Sequence, residues 1–75
     1  MKAILEFNLP EDIYEYRLAI NGGDWKTVVW DVDQWLRVKL KHHSDSMSDE
    51  EYNTLEKVRA KLSEVIDEYY LTLYD

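Results

Sequence analysis

The sequence predicts an α+β domain of three helices with short β-strands at its amino and carboxyl ends, assembling as an oligomer. Three observations carry this. Residues 2–9 alternate apolar and polar, two long later stretches repeat apolar residues at helical spacing behind recognisable start signals, and residues 71–74 are short, apolar at alternate positions and β-prone.

In KAILEFNL, Ala3, Leu5, Phe7 and Leu9 share one parity and Lys2, Glu6 and Asn8 the other, with Ile4 the single exception. That is the pattern of a half-buried strand. Pro10 has its φ preset for a first helical position, and Glu11 and Asp12 follow where the helix dipole favours acids, so a helix is expected over about 10–20. Its inward face would be Ile13, Tyr16 or the stem of Arg17, and Ile20. Asn21-Gly22-Gly23 tolerates left-handed backbone and would end it.

Asp24 is placed to cap the central helix, expected from Trp25 to about His43, in which Val28, Val29, Val32, Trp35, Leu36 and Leu40 form the apolar stripe. The opposite side takes Lys26, Trp30, Asp33 or Gln34, Arg37 and Lys41. Residues 42–47 lack periodicity and read as a connection. Ser48-Asp49-Glu50-Glu51 then fits a capping box, with Met47 placed to staple onto Tyr52. The helix behind it should run to about Tyr69, with Tyr52, Leu55, Val58, Leu62, Val65, Ile66 and Tyr69 inward and Glu56, Lys57, Arg59, Lys61 and Glu64 solvated. Leu71–Tyr74 is expected to pair with the first strand or with a neighbouring chain.

A chain of 75 residues makes one domain, residues 1–75, and buries only about 60–65% of its unfolded surface. Such a core supplies about 3–5 kcal/mol unless disulfides, metal or a partner subunit help. There is no cysteine, which leaves oligomerisation as the device and agrees with a cytoplasmic setting. No apolar stretch approaches the roughly 18 residues that span a bilayer, so no membrane association is expected. The net charge of -7 repels duplex nucleic acid and anionic lipid. Between Trp25 and His43, however, Lys26, Arg37, Lys39 and Lys41 outnumber Asp31 and Asp33, giving +2 against -9 for the remainder.

Neither cysteine nor a glycine-rich turn around serine offers a nucleophile, so no catalytic residue and no enzymatic activity are expected. His42-His43 beside Asp45 hints at metal, but adjacent histidines diverge on a helix and no second ligand set has recognisable spacing, so solvated helix-end histidines near the negative end of the dipole are the favoured reading. Asp31 and Asp33, two apart on a helix, do not face one another as a Mg²⁺ pair would, and an Asp33–Arg37 pair at i,i+4 is the simpler use. No cofactor or metal is expected. The tryptophans are the sharper signal: Trp25 and Trp35 fit the apolar stripe, whereas Trp30 falls among Lys26, Gln34, Arg37 and Lys41. Trp30 either packs on the amino-terminal strand or an oligomer interface, or stacks on a ligand whose anionic groups meet Arg37, Lys39 or Lys41. The candidate ligand-binding set is Trp25, Trp30, Gln34, Arg37, Lys39 and Lys41. The six tyrosines suit core or oligomer packing.

At FNLPED (Phe7–Asp12), AINGGDW (Ala19–Trp25) and WDVDQWLR (Trp30–Arg37), followed by the acidic helix start SDEEY, the chain resembles a widespread family of small bacteriophage proteins. The resemblance spans essentially the whole chain. It implies a protein acting in the host cytoplasm on something of the host's. It also implies a possible place among the immune sponges, oligomers that sequester the cyclic nucleotide messengers of antiphage signalling (anti-CBASS activity). The expected function is therefore capture of a cyclic di- or oligonucleotide at a subunit interface. The alternatives are an acidic inhibitor of a host defence or nucleic-acid enzyme, using carboxylates of residues 45–56 and 64–68, and a virion accessory.

Overall fold

The computed structural model describes residues 1–42 and 47–74. It consists of α1 (Ile13–Ile20), α2 (Gly22–Lys41) and α3 (Asp49–Glu68). Among the described residues there is no strand, which corrects the expected α+β class to an all-helical one. The alternating segment 2–9 leaves Ile4 and Leu5 largely exposed, and Leu71–Tyr74 does not pair with it. A strand needs a neighbour to take its backbone hydrogen bonds, and these two segments do not supply one to each other.

Pro10 belongs to a turn that precedes α1, not to the helix. The Asp12 amide donates to the Asn8 carbonyl (2.7 Å), and the Asn8 amide donates to the Asp12 carboxylate (2.9 Å). That carboxylate is therefore engaged backwards and does not cap α1. Phe7 meets Tyr16 edge to face at 5.7 Å, which anchors the turn to the helix. Ile20 is exposed, so the expected inward face of α1 reduces mainly to Tyr16.

Gly22 and Gly23 open α2 and do not terminate α1 with left-handed backbone; neither has positive φ. Asn21 is the single residue of break. Its amide still donates to Arg17 O (3.0 Å) and its carbonyl accepts from Trp25 N (3.0 Å), so the ladder bends there without ending. At α3 the Ser48 hydroxyl accepts from the Glu51 amide at 3.2 Å, as the capping box requires.

Helices α2 and α3 meet through Val29, Asp33, Leu36 and Leu40 on one side and Leu55, Arg59, Leu62 and Ile66 on the other, all buried or half-buried. Leu36, 3% exposed, is the one buried hydrophobic residue among those described. The radius of gyration is 17.6 Å, against about 11 Å for a compact domain of this length. The molecule measures 53 × 27 × 17 Å, an elongated body with little interior of its own. No helix is long and apolar enough to cross a membrane among the described residues.

Candidate functional site

The polar centre of the molecule is Asp33, 5% exposed on the face of α2 that meets α3. Arg59 Nε of α3 donates to Asp33 Oδ1 at 2.9 Å and its Nη2 reaches Oδ2 at 3.4 Å. The expected partner, Arg37, is one turn along the same helix; the acid reaches across to α3 instead because it points into the helix interface. The side-chain bond to Asp33 raises the Arg59 guanidinium above its ordinary value against the opposing effect of its partial burial, and the charge of Asp33 adds to the rise. Arg59, expected among solvated residues, is thus half-buried and structural.

The carboxyl-terminal tail closes on the same acid. The Tyr74 hydroxyl donates to Asp33 Oδ2 and accepts from Gln34 Nε2 (3.0 Å). The tail turns back because α3 ends in a Schellman arrangement: Leu71 N donates to Ile66 O (3.1 Å) and Tyr70 N to Asp67 O (3.0 Å). This needs left-handed backbone at Tyr70, whose φ is 56°, a conformation that costs a residue with a Cβ about 1–2 kcal/mol.

Folded back in this way, the tail walls two clefts. The larger, about 590 Å³, lies between α2 and α3, bordered by Leu40, Arg59, Leu62, Ile66 and Tyr74. The smaller, about 300 Å³, is formed by Lys26, Thr27 and Trp30 of α2 with Leu73 and Tyr74 of the tail. Trp30, the least exposed of the three tryptophans, therefore shares a groove with a lysine and a tyrosine, and Gln34 one turn on is bonded to that tyrosine. By helical spacing Lys26, Trp30, Gln34, Arg37 and Lys41 occupy one side of α2.

The remaining candidates lie elsewhere. Trp25 and Trp35 are exposed on the far side of α2, and Lys39 Nζ sits 5.5 Å from the Trp35 ring centroid, a cation–π contact away from the groove. So the candidate set divides: Trp30, Gln34, Arg37 and Lys41 share a side, and Trp25 and Lys39 do not. Tyr74 and Arg59 are the positions that sequence reasoning missed. His43 and Asp45 fall outside the described residues; among those described, no cluster of three metal-ligating side chains occurs.

The groove brings the Trp30 ring, the Tyr74 ring and Lys26 together in one shallow cleft. Aromatic faces stack on flat rings and cations meet anionic groups, so these residue types suit a ring that carries an anion. Comparison with protein-family models, with curated proteins and with solved structures finds no match to this chain.

Proposed function

We propose that this chain is a non-catalytic phage counter-defence protein that works in the host cytoplasm as an oligomeric sponge for cyclic di- or oligonucleotide messengers. The observation that carries the reading is the groove of Lys26, Thr27, Trp30 and Tyr74, continued along α2 by Gln34, Arg37 and Lys41. A base stacks on Trp30 beside the Tyr74 ring, and the cations meet phosphate. Arginine suits that task because its planar fork matches phosphate oxygens two at a time. At about 300 Å³ the groove is at the small end of ligand sites, so it holds one base and leaves the rest of the ligand to a wider surface.

Oligomerisation is supported by the shape of the chain. A body with one buried hydrophobic residue among those described and so large a radius of gyration gains little from burial on its own. Isothermal titration against a panel of cyclic dinucleotides and trinucleotides tests the reading. Binding to at least one is expected, with Arg37→Glu abolishing it; nothing tighter than about 10 μM for any of them would retire it.

A second reading has one observation in its favour. The first turn of α3 carries Asp49, Glu50 and Glu51 and its last turn Asp67 and Glu68 without a base, so the helix presents acid at both ends, with Lys57 and Lys61 between them. Such a face can imitate nucleic acid before a host enzyme, although acidic faces are ordinarily solvated. Arg37→Glu separates the two, because an acidic decoy keeps its binding in that variant.

A further inference from the structure

The side of α2 turned away from α3 carries Trp25, Val28, Val32 and Trp35, from 50% exposed at Val32 to 61% at Trp25. Their spacing is three, four, three, the step of a seam between paired helices, and it lies across the helix from Lys26, Trp30 and Arg37. Buried apolar residues of α2 belong to a different stripe, Val29, Leu36 and Leu40, so the exposed one is surplus to the contact with α3. We propose that this seam is the docking surface for the α2 of a second copy of the chain, running antiparallel.

Two features select that occupant. First, the order Trp, Val, Val, Trp reads the same in both directions about residue 30. Two antiparallel copies in that register set Trp25 against Trp35 of the second copy and Val28 against Val32, twice over, which is the self-complementarity a two-fold interface requires. Second, the charges are polar along the helix: Asp24 stands in its first turn and Lys39 and Lys41 in its last. Antiparallel pairing brings Asp24 within about 5 Å axially of Lys39 of the other chain, a gap a lysine spans, and opposes the helix dipoles favourably. Parallel pairing would stack like charge on like. The Lys39 stem and ammonium, lying over Trp35, border this seam and stay out of the ligand groove.

The proposal deepens the oligomeric part of the sponge reading and leaves the groove free on the opposite side of α2. The chain has no cysteine, which permits a clean test. Val28→Cys and Val32→Cys chains, one of them isotopically labelled, are oxidised separately and after mixing through a denaturing and refolding step. A disulfide needs Cβ atoms about 4 Å apart, so the mixture is expected to yield about tenfold more linked dimer than either chain alone. Equal linking of each chain with itself would mean parallel pairing and overturn the proposal, as would absence of linking in any preparation. Val32→Glu supplies a second reading by sedimentation equilibrium, with circular dichroism to verify helicity. Loss of at least one step of assembly is expected, and an unchanged assembly would place the interface on another face. A linked dimer that binds no cyclic nucleotide upholds the seam and removes the ligand reading.

Discussion

The two long faces of α2 reverse the usual arrangement of polar and apolar side chains. Toward α3 the helix buries a carboxylate, Asp33, which Arg59 and Tyr74 satisfy; away from α3 it exposes two tryptophans and two valines. The inward face has a definite partner, Val29, Leu36 and Leu40 against Leu55, Leu62 and Ile66, with an ion pair set among them whose geometry must stay intact. The outward face has apolar groups in quantity, and among the described residues Trp25, Val28, Val32 and Trp35 all remain exposed. Within one copy the helices are held by both apolar and polar contacts, and the proposed association would bury the exposed stripe as well.

The largest expected effect comes from breaking the inward face. Arg59→Met leaves Asp33 buried with Tyr74 and Gln34 nearby and no countercharge, which should cost about 2–3 kcal/mol, read as a lower urea midpoint. Pairing it with Asp33→Leu should recover most of that loss, since no unpaired charge then remains. Because the Arg59 guanidinium is raised in the folded chain, its contribution is complete below the ordinary arginine range and is lost only as pH rises through the folded value. Titration of Arg59 therefore adds no pH dependence near neutrality, and urea midpoints across that range test this.

Smaller effects sharpen the comparison from the helix ends. Ser48→Ala removes the acceptor for the Glu51 amide and should cost about 1 kcal/mol in the same measurement. Gly22→Ala and Gly23→Ala should each stabilise by about 0.5–1 kcal/mol, because both glycines are helical and an added Cβ meets nothing within 4 Å. Tyr70→Gly relieves left-handed strain at the end of α3 and should stabilise by about 1 kcal/mol while leaving the Tyr74 contact in place. A loss in that variant, read by thermal unfolding, would show that the Tyr70 ring has a packing role.

Much of the helical framework was legible in the sequence, and the reasons are local. The Ser48 cap and the bounds of α3 follow from its start signal, and α2 from its periodicity. The strands expected at the two ends do not form among the described residues, because alternation in 2–9 reports a preference that only a pairing neighbour realises. The single apolar stripe expected for α2 is split in the structure: Val29, Leu36 and Leu40 turn toward α3 while Val28, Val32 and Trp35 stay exposed, because six apolar residues span a wider arc than one helix contact covers. A usable signal lay in the matched spacing of Val29-Asp33-Leu36-Leu40 and Leu55-Arg59-Leu62-Ile66, where opposite charges hold the same place in each series. Tyr74 carried no such mark, since its contact with Asp33 spans the whole hairpin of α2 and α3.

At the proposed site, Trp30 beside Lys26 was visible as a helical side shared by aromatic and base, whereas the tail that completes the groove was not. The division of α2 into a ligand side and an assembly side is best tested by native mass spectrometry of the protein purified and incubated with cyclic dinucleotide, alongside its Arg37→Glu and Val32→Glu variants. The expected result is an even number of subunits with nucleotide retained in the parent, the same assembly without nucleotide in Arg37→Glu, and fewer subunits in Val32→Glu. A parent protein found as single chains, or an Arg37→Glu variant that keeps its nucleotide, would contradict it.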